Sequence, residues 1–343
     1  MHELKKVFLL CRKGRFDILL HRLLSLFGAE DSFLPLPHLV MIEPTNACNL
    51  HCPTCPAGSG KMNRPLHDMN LAEFKGIIDQ AKAYVSQILL WNYGEPFLHN
   101  ELLGMIKYAT TSGIYVKTST NGGFFKSMEF CLKVVQSGLH YLIISLDGAD
   151  QDTVNKFRKG ADFNSIIAGM KAIKEAKESL SSATPVVELQ FIVMKHNEDQ
   201  RARMRTLAKE LGADVYSEKT VNINCGYPEF QKMAKELVPN DTALSRYFLK
   251  QDGTFALKGK MSGGCSMLYN SLVINSDGAI VPCCYDLFSE HLMGNVFRED
   301  LKTVWESSKY ELFRKEVKSR RSSIGICSSC PEGRYTIAKK TEI

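Results

Sequence analysis

The 343-residue sequence has no run of about 18 uninterrupted apolar residues, which excludes a membrane-spanning helix. It also lacks a cleavable signal peptide: the apolar stretch from Val7 to Cys11 is short, and Arg12-Lys13 follow at once. No internal repeat and no low-complexity tract is present. With 44% apolar and 23% charged residues, disordered, collagen-like and coiled-coil chains are set aside, and the length allows roughly two domains. The segment Gly58-Ser59-Gly60-Lys61 is no phosphate loop, because the first glycine is missing and Met62 replaces the Ser/Thr. A basic groove is wanting as well. The net charge of +6 sits on the ends, +3 over residues 1–30 and +5 over residues 309–343, leaving −2 between them. Solvated helix faces account for that placement, and no nucleic-acid partner is expected.

Cysteine is plentiful. Eleven of them, several only three or four residues apart, in a chain without a secretory signal indicate a reduced cytoplasmic protein whose thiols bind metal. The first group is Cys48-Asn-Leu-His-Cys52-Pro-Thr-Cys55. A structural zinc site wants four closed ligands; here no fourth Cys or spaced His is at hand, since His51 lies inside the loop. An iron–sulfur cube held by three thiolates leaves one iron open.

The apolar pattern places this group in a fold. Strand-like runs at 39–42, 88–91, 115–118, 141–146, 186–193 and 213–216 alternate with helical stretches near 70–83, 101–112, 126–137, 164–178 and 199–211. Asn70 and Asn164 are candidate caps, and Gly113, Gly138 and Gly212 follow last turns. Six such units over residues 38–220 predict an α/β fold, a parallel (βα)6 barrel short of the eight units that close a full one. The first cysteine group then lies at the carboxyl end of the first strand, where parallel α/β folds place their sites. Residues 1–37 read as an amphipathic helical segment. Its basic residues suit a membrane surface or, the favoured reading, packing on the body of the fold. Residues 221–262 read as a connection, and a small cysteine-bearing domain follows over 263–343.

On the CxxxCxxC loop after the first strand, the chain resembles the radical S-adenosylmethionine (SAM) superfamily. The resemblance implies a partial barrel with a [4Fe–4S] cluster on Cys48, Cys52 and Cys55, its open iron chelated by SAM, and reductive cleavage of SAM to a 5′-deoxyadenosyl radical. It further implies SAM contacts from Gly94 and Glu95 after the second strand, from Ser119 and Asn121 after the third, and from Ser145 and Asp147 after the fourth. Arg158 is then a partner for the SAM carboxylate, since a carboxylate wants a guanidinium. Thr54 departs from the aromatic that many members carry before the third cysteine, so adenine stacking there is not expected.

A second group, Cys265-x12-Gly278-x4-Cys283 followed by Cys327-x2-Cys330, resembles the opening of the SPASM domain, in a shortened version. Gly278 would turn the hairpin that returns Cys283 toward Cys265. Four cysteines fit one auxiliary [4Fe–4S] cluster, with Cys284 able to exchange with Cys283; a four-thiolate zinc site is the alternative. Cys11 and Cys131 read as small apolar residues, and Cys225 as a candidate hydrogen-atom donor near the barrel mouth. The expected reaction is oxidation of a small polar substrate such as a sugar or cyclitol, with the auxiliary cluster as electron acceptor and flavodoxin or ferredoxin as electron donor. Residues 1–37 are too few for the leader-binding domain of peptide-modifying relatives. Epimerisation, rearrangement, peptide modification and a non-enzymatic iron–sulfur or zinc scaffold are the competing readings.

Overall fold

Short apolar runs alternate with capped amphipathic helices, and the computed structural model turns that alternation into one sheet; it describes residues 11, 14–26, 34–223, 228–261, 264–331 and 338–343. The strands β1 (Leu39–Ile42), β2 (Gln87–Leu89), β3 (Tyr115–Thr120), β4 (Tyr141–Ser145), β5 (Val186–Val193) and β6 (Val215–Thr220) are parallel neighbours in that order. Helix α1 (Phe16–Leu26) precedes them. Between them run α2 (Leu71–Ala81), α3 (Leu102–Thr111), α4 (Met128–Gln136), α5 (Gln151–Phe157), α6 (Phe163–Ser179) and α7 (Arg201–Glu210). The capping logic is explicit. Asn70 and Glu73 form a reciprocal capping box on α2. On α6 the expected cap Asn164 gives way to Asp162, whose carboxylate accepts from the Asn164 and Ser165 amides at 3.0 and 3.3 Å. An anion two residues earlier meets both the free amides and the helix dipole, which a side chain inside the first turn cannot do.

The outer face of the sheet packs Val116, Leu142, Ile144, Leu189 and Phe191 into the core under the helices. The inner face is polar. Glu188, fully buried on β5, accepts from Tyr141 Oη and Lys340 Nζ, both at 2.5 Å, and from Ser217 Oγ at 2.6 Å, with Lys117 Nζ at 3.9 Å.

The C-terminal region holds α8 (Phe230–Leu237) with the hairpin β7 (Tyr247–Leu249) and β8 (Phe255–Leu257). After it come α9 (Met267–Asn270), β9 (Ser271–Ile274), β10 (Ala279–Val281), β11 (Gly294–Asn295), α10 (Leu301–Trp305), α11 (Ser308–Arg320), α12 (Gly325–Ser328) and β12 (Ala338–Glu342). The sheet runs on across the start of this region. β9 lies parallel to β1 and turns back as β10, while β12 lies antiparallel to β6. Both free edges of the six-stranded unit are thereby covered.

Helix α1 buries Ile18, and Arg15 just ahead of it donates to the Leu36 and Tyr84 carbonyls, while Phe16, Leu20 and Leu23 are exposed. Among the described residues no helix is long and apolar enough to cross a membrane. Residues 1–10 and Cys225 lie outside the described residues.

Candidate radical SAM site

The loop that carries Cys48, Cys52 and Cys55 is fastened at every turn. Asn121 Nδ2, after β3, donates to Asn49 Oδ1 at 2.8 Å, and His51 N donates to the Lys159 carbonyl at 2.9 Å. Gly58 approaches the loop so closely that a Cβ there would lie 2.7 Å from Cys52 N. Gly94, at φ +83°, does the same from β2: a Cβ would stand 2.4 Å from the Thr45 carbonyl oxygen. Burial pushes the Cys48 thiol up to about 11, and nearby Glu95, Cys55 and Cys52 add to the push. Burial raises Cys52 as well, with Arg158 opposing. Both shifts disfavour the thiolate form that ligates a metal, and a bound cation would reverse them.

Glu95 is buried and fully engaged. Oε1 accepts from the Phe97 amide (3.1 Å) and Thr120 Oγ1 (2.8 Å), and Oε2 from the Asn121 amide (2.7 Å). Burial holds its pKa at about 7, despite those donors and Arg158. The Asp147 carboxylate meets Arg158 Nε at 2.6 Å and the Ile192 amide at 2.7 Å, so Asp147 serves to hold Arg158 beside Cys52 and Glu95. Ser119 is half-buried on β3. Ser145 is buried on β4 in register with Gln190, which is in register with Ser217 on β6.

The second group is gathered from distant segments. Cys283 lies within electrostatic reach of Cys265 and Cys330, and Cys327 within reach of Cys265 and Cys330. Burial, reinforced by these neighbours, pushes Cys283 well above its ordinary value. All four thiols are free of disulfides. Arg321 donates to the Gly264 carbonyl at 2.6 Å and reaches Cys330 Sγ at 3.9 Å.

Among the described residues no three His, Cys, Asp or Glu side chains gather tightly enough for one metal ion. A single zinc, with Zn–S of about 2.3 Å, would need that convergence; a cube, with an iron at each ligated corner, takes thiolates set further apart. Three thiols without a fourth ligand suit a cluster with an open iron, and four thiols suit a closed cluster or a zinc ion. A partnerless buried Ser59 Oγ, whose residue donates its amide to the Cys55 carbonyl, and a partnerless Tyr310 Oη near Cys283 and Cys265 accord with acceptors that the protein atoms do not supply.

Two connections escape a reading of motifs. Glu43, fully buried just after β1, pairs bidentately with Arg64 at 2.8 and 3.0 Å and accepts from the amides of Tyr93 (3.1 Å) and Ser276 (3.3 Å). Tyr93 Oη donates to the Cys284 carbonyl at 2.6 Å. The loop after β2 thus touches both cysteine groups. A charge closing the apolar strand ahead of Pro44 was the one signal of this hub in the sequence.

A model of the radical SAM superfamily matches residues 42–208, and a model of SPASM, an iron–sulfur cluster-binding domain, matches residues 265–331. The chain carries a radical SAM domain followed by a SPASM domain. It is an enzyme whose radical SAM domain binds a [4Fe–4S] cluster and SAM and whose SPASM domain binds auxiliary iron–sulfur clusters. An AdoMet-dependent heme synthase of Methanosarcina barkeri (strain Fusaro / DSM 804) is 26% identical over 323 residues, covering 85% of this chain and 88% of that protein. The mycofactocin maturase MftC of Mycolicibacterium smegmatis is 27% identical over 312 residues, covering 87% and 76%. Among solved structures, Streptococcus suis SuiB bound to S-adenosylmethionine superposes with a TM-score of 0.63 at 19% identity, covering 87% of this chain and 73% of that one; this likeness establishes the fold.

Proposed function

We propose that this radical SAM enzyme dehydrogenates a small polar substrate, of the sugar or cyclitol kind, by a two-electron oxidation. In this reading Cys48, Cys52 and Cys55 hold the SAM-binding cluster, and Cys265, Cys283, Cys327 and Cys330 hold one auxiliary cluster. The observation that carries it is the gathering of Cys265, Cys283, Cys327 and Cys330. Four thiols leave no ligand position for a substrate, which supports an electron-transfer group rather than a binding one. When bound, the SAM-ligated cluster supplies a hydrogen-abstracting radical and the auxiliary cluster a one-electron acceptor.

The chain's own residues do the rest. Arg158, held by Asp147, offers a cation for the SAM carboxylate, and the Gly94–Glu95 segment and Asn121 border the same loop. Ser119, Ser145 and Gln190 stand on the polar inner face, which suits hydroxyl-bearing substrates better than apolar ones. The residues after Cys283 lie across the strand ends, tied from β2 by Tyr93 and from beyond β6 by Asn222, whose Nδ2 donates to Tyr285 Oη at 2.9 Å. Such a strap excludes water from a radical. Flavodoxin or ferredoxin in the cytoplasm is the reductant this reading requires.

The test is anaerobic reconstitution followed by iron quantitation and turnover with SAM, dithionite and candidate polyols. About eight irons per chain, 5′-deoxyadenosine, and a product lighter by two hydrogens are expected. An isomeric product of unchanged mass would overturn the oxidation, and loss of turnover in C225A alone would then point to epimerisation.

A further inference from the structure

Helix α11 carries a side chain that the proposed reaction does not yet use. Tyr310 is fully buried, and its hydroxyl has no hydrogen-bond partner among the protein atoms. Its ring is clamped. The Trp305 ring lies 5.0 Å away, and the Arg314 guanidinium stacks at 4.2 Å. That guanidinium is itself fixed by the Leu268 and Trp305 carbonyls at 2.9 and 3.1 Å. The phenol therefore cannot swing toward water, and its oxygen stays within electrostatic reach of Cys283 and Cys265. A phenylalanine would fill the same slot without leaving a buried hydroxyl unsatisfied, so packing alone does not account for a tyrosine here. Arg321 also reaches one of the four thiols, at Cys330 Sγ.

We infer that the Tyr310 hydroxyl donates a hydrogen bond to a sulfur of the auxiliary centre on its Cys265–Cys283 side and raises the reduction potential of that centre. The inference rests on the reading of these four cysteines as a cluster site. A donor aimed at sulfur stabilises the more negative, reduced state, so the potential rises with each such bond. An acceptor of substrate electrons needs that bias, and the first centre, which must deliver an electron to SAM, needs the opposite one. Tyr310 is a positioning and tuning residue, remote from the reacting atoms.

The test uses the reconstituted full-length enzyme and its Tyr310→Phe variant. EPR-monitored redox titration should show unchanged iron content. In Y310F the reduced-to-oxidised ratio of the auxiliary signal at fixed potential should fall about tenfold, a midpoint lower by about 59 mV for one electron; the SAM-binding cluster should titrate as before. Pulsed EPR in D2O should detect an exchangeable deuteron coupled to the reduced auxiliary cluster in the wild type and lose it in Y310F. An unchanged midpoint with full iron overturns the inference. Should Y310F hold no auxiliary iron, the same measurement on Arg321→Leu, which removes the guanidinium deuterons beside Cys330, decides: a coupled deuteron that persists there supports the bond and its absence overturns it. A wild type with only about four irons would instead sink the reading of the centre itself.

Discussion

Cys48, Cys52 and Cys55 come from eight consecutive residues, whereas Cys265, Cys283, Cys327 and Cys330 are drawn from a span of 66. The first group needs one loop to keep its shape, and that loop is pinned by glycine contacts from Gly58 and Gly94 and by the Asn49–Asn121 bond. The second needs a hairpin and four helices to be in place before its thiols gather, and closing that long loop carries its own entropy. Local construction makes the first group recognisable from spacing. Assembly makes the second dependent on the sheet. Because β9 pairs with β1, the two groups hang on adjacent strands, and the sheet, rather than a linker, sets their separation.

The sharpest way to break this comparison is to remove one thiol from each group. Cys52→Ala should halve the iron and abolish 5′-deoxyadenosine formation. Cys283→Ala should also halve the iron yet leave SAM cleavage measurable while the oxidised product disappears. If both variants lose SAM cleavage entirely while the three-cysteine cluster is still seen by EPR in C283A, the division of labour is wrong.

Next comes the hub that joins the two groups. Glu43→Gln leaves the Arg64 guanidinium buried without its anion and loosens Tyr93 and Ser276 together. Breaking a buried pair in this way costs about 3–5 kcal/mol, read as a lower unfolding midpoint in urea. Iron should fall in both centres, because the hub serves both; a loss confined to one would show that they are held independently.

Those outcomes bear on what was legible in advance. The six parallel strands of an incomplete barrel and the Asn70 cap followed from periodicity and capping chemistry. Helix α5 did not, since seven residues without a long apolar stripe give little periodic signal. Nor did the pairing of β9 with β1, because strands so short encode their partner only through the finished sheet. At the site, the cysteines were visible as spacing. The orphan hydroxyl of Tyr310 and the Tyr93–Cys284 link exist only as geometry.

A region remote from both groups serves as the control. On the inner wall, burial alone would raise Glu188, but Lys340 and Lys117 overcome it and bring it from 4.5 to about 2. A depressed carboxylate contributes its stability fully above pH 4.5 and loses it as the pH falls through 2. The contribution is roughly 3 kcal/mol. The difference in unfolding free energy between wild type and Glu188→Gln should therefore shrink from pH 7 toward pH 3, with iron in E188Q unchanged at pH 7. A difference that is flat with pH would mean that the lysines do not hold this charge.

The smallest expected effect separates the two groups most cleanly. Gly94→Ala adds one methyl at a positive φ, 2.4 Å from the Thr45 carbonyl and 2.8 Å from that of Ala47. Both lie in the stretch that leads into Cys48, so the backbone must shift there, at a cost of about 1–3 kcal/mol. The Tyr93 hydroxyl, one residue away on the side facing Cys284, need not follow. Iron in the auxiliary centre should persist while SAM affinity falls and the three-cysteine cluster is lost first on oxidation. Equal loss from both would show that the loop after β2 transmits strain to Cys283 through Tyr93, and a double variant with Tyr93→Phe would then restore the auxiliary iron.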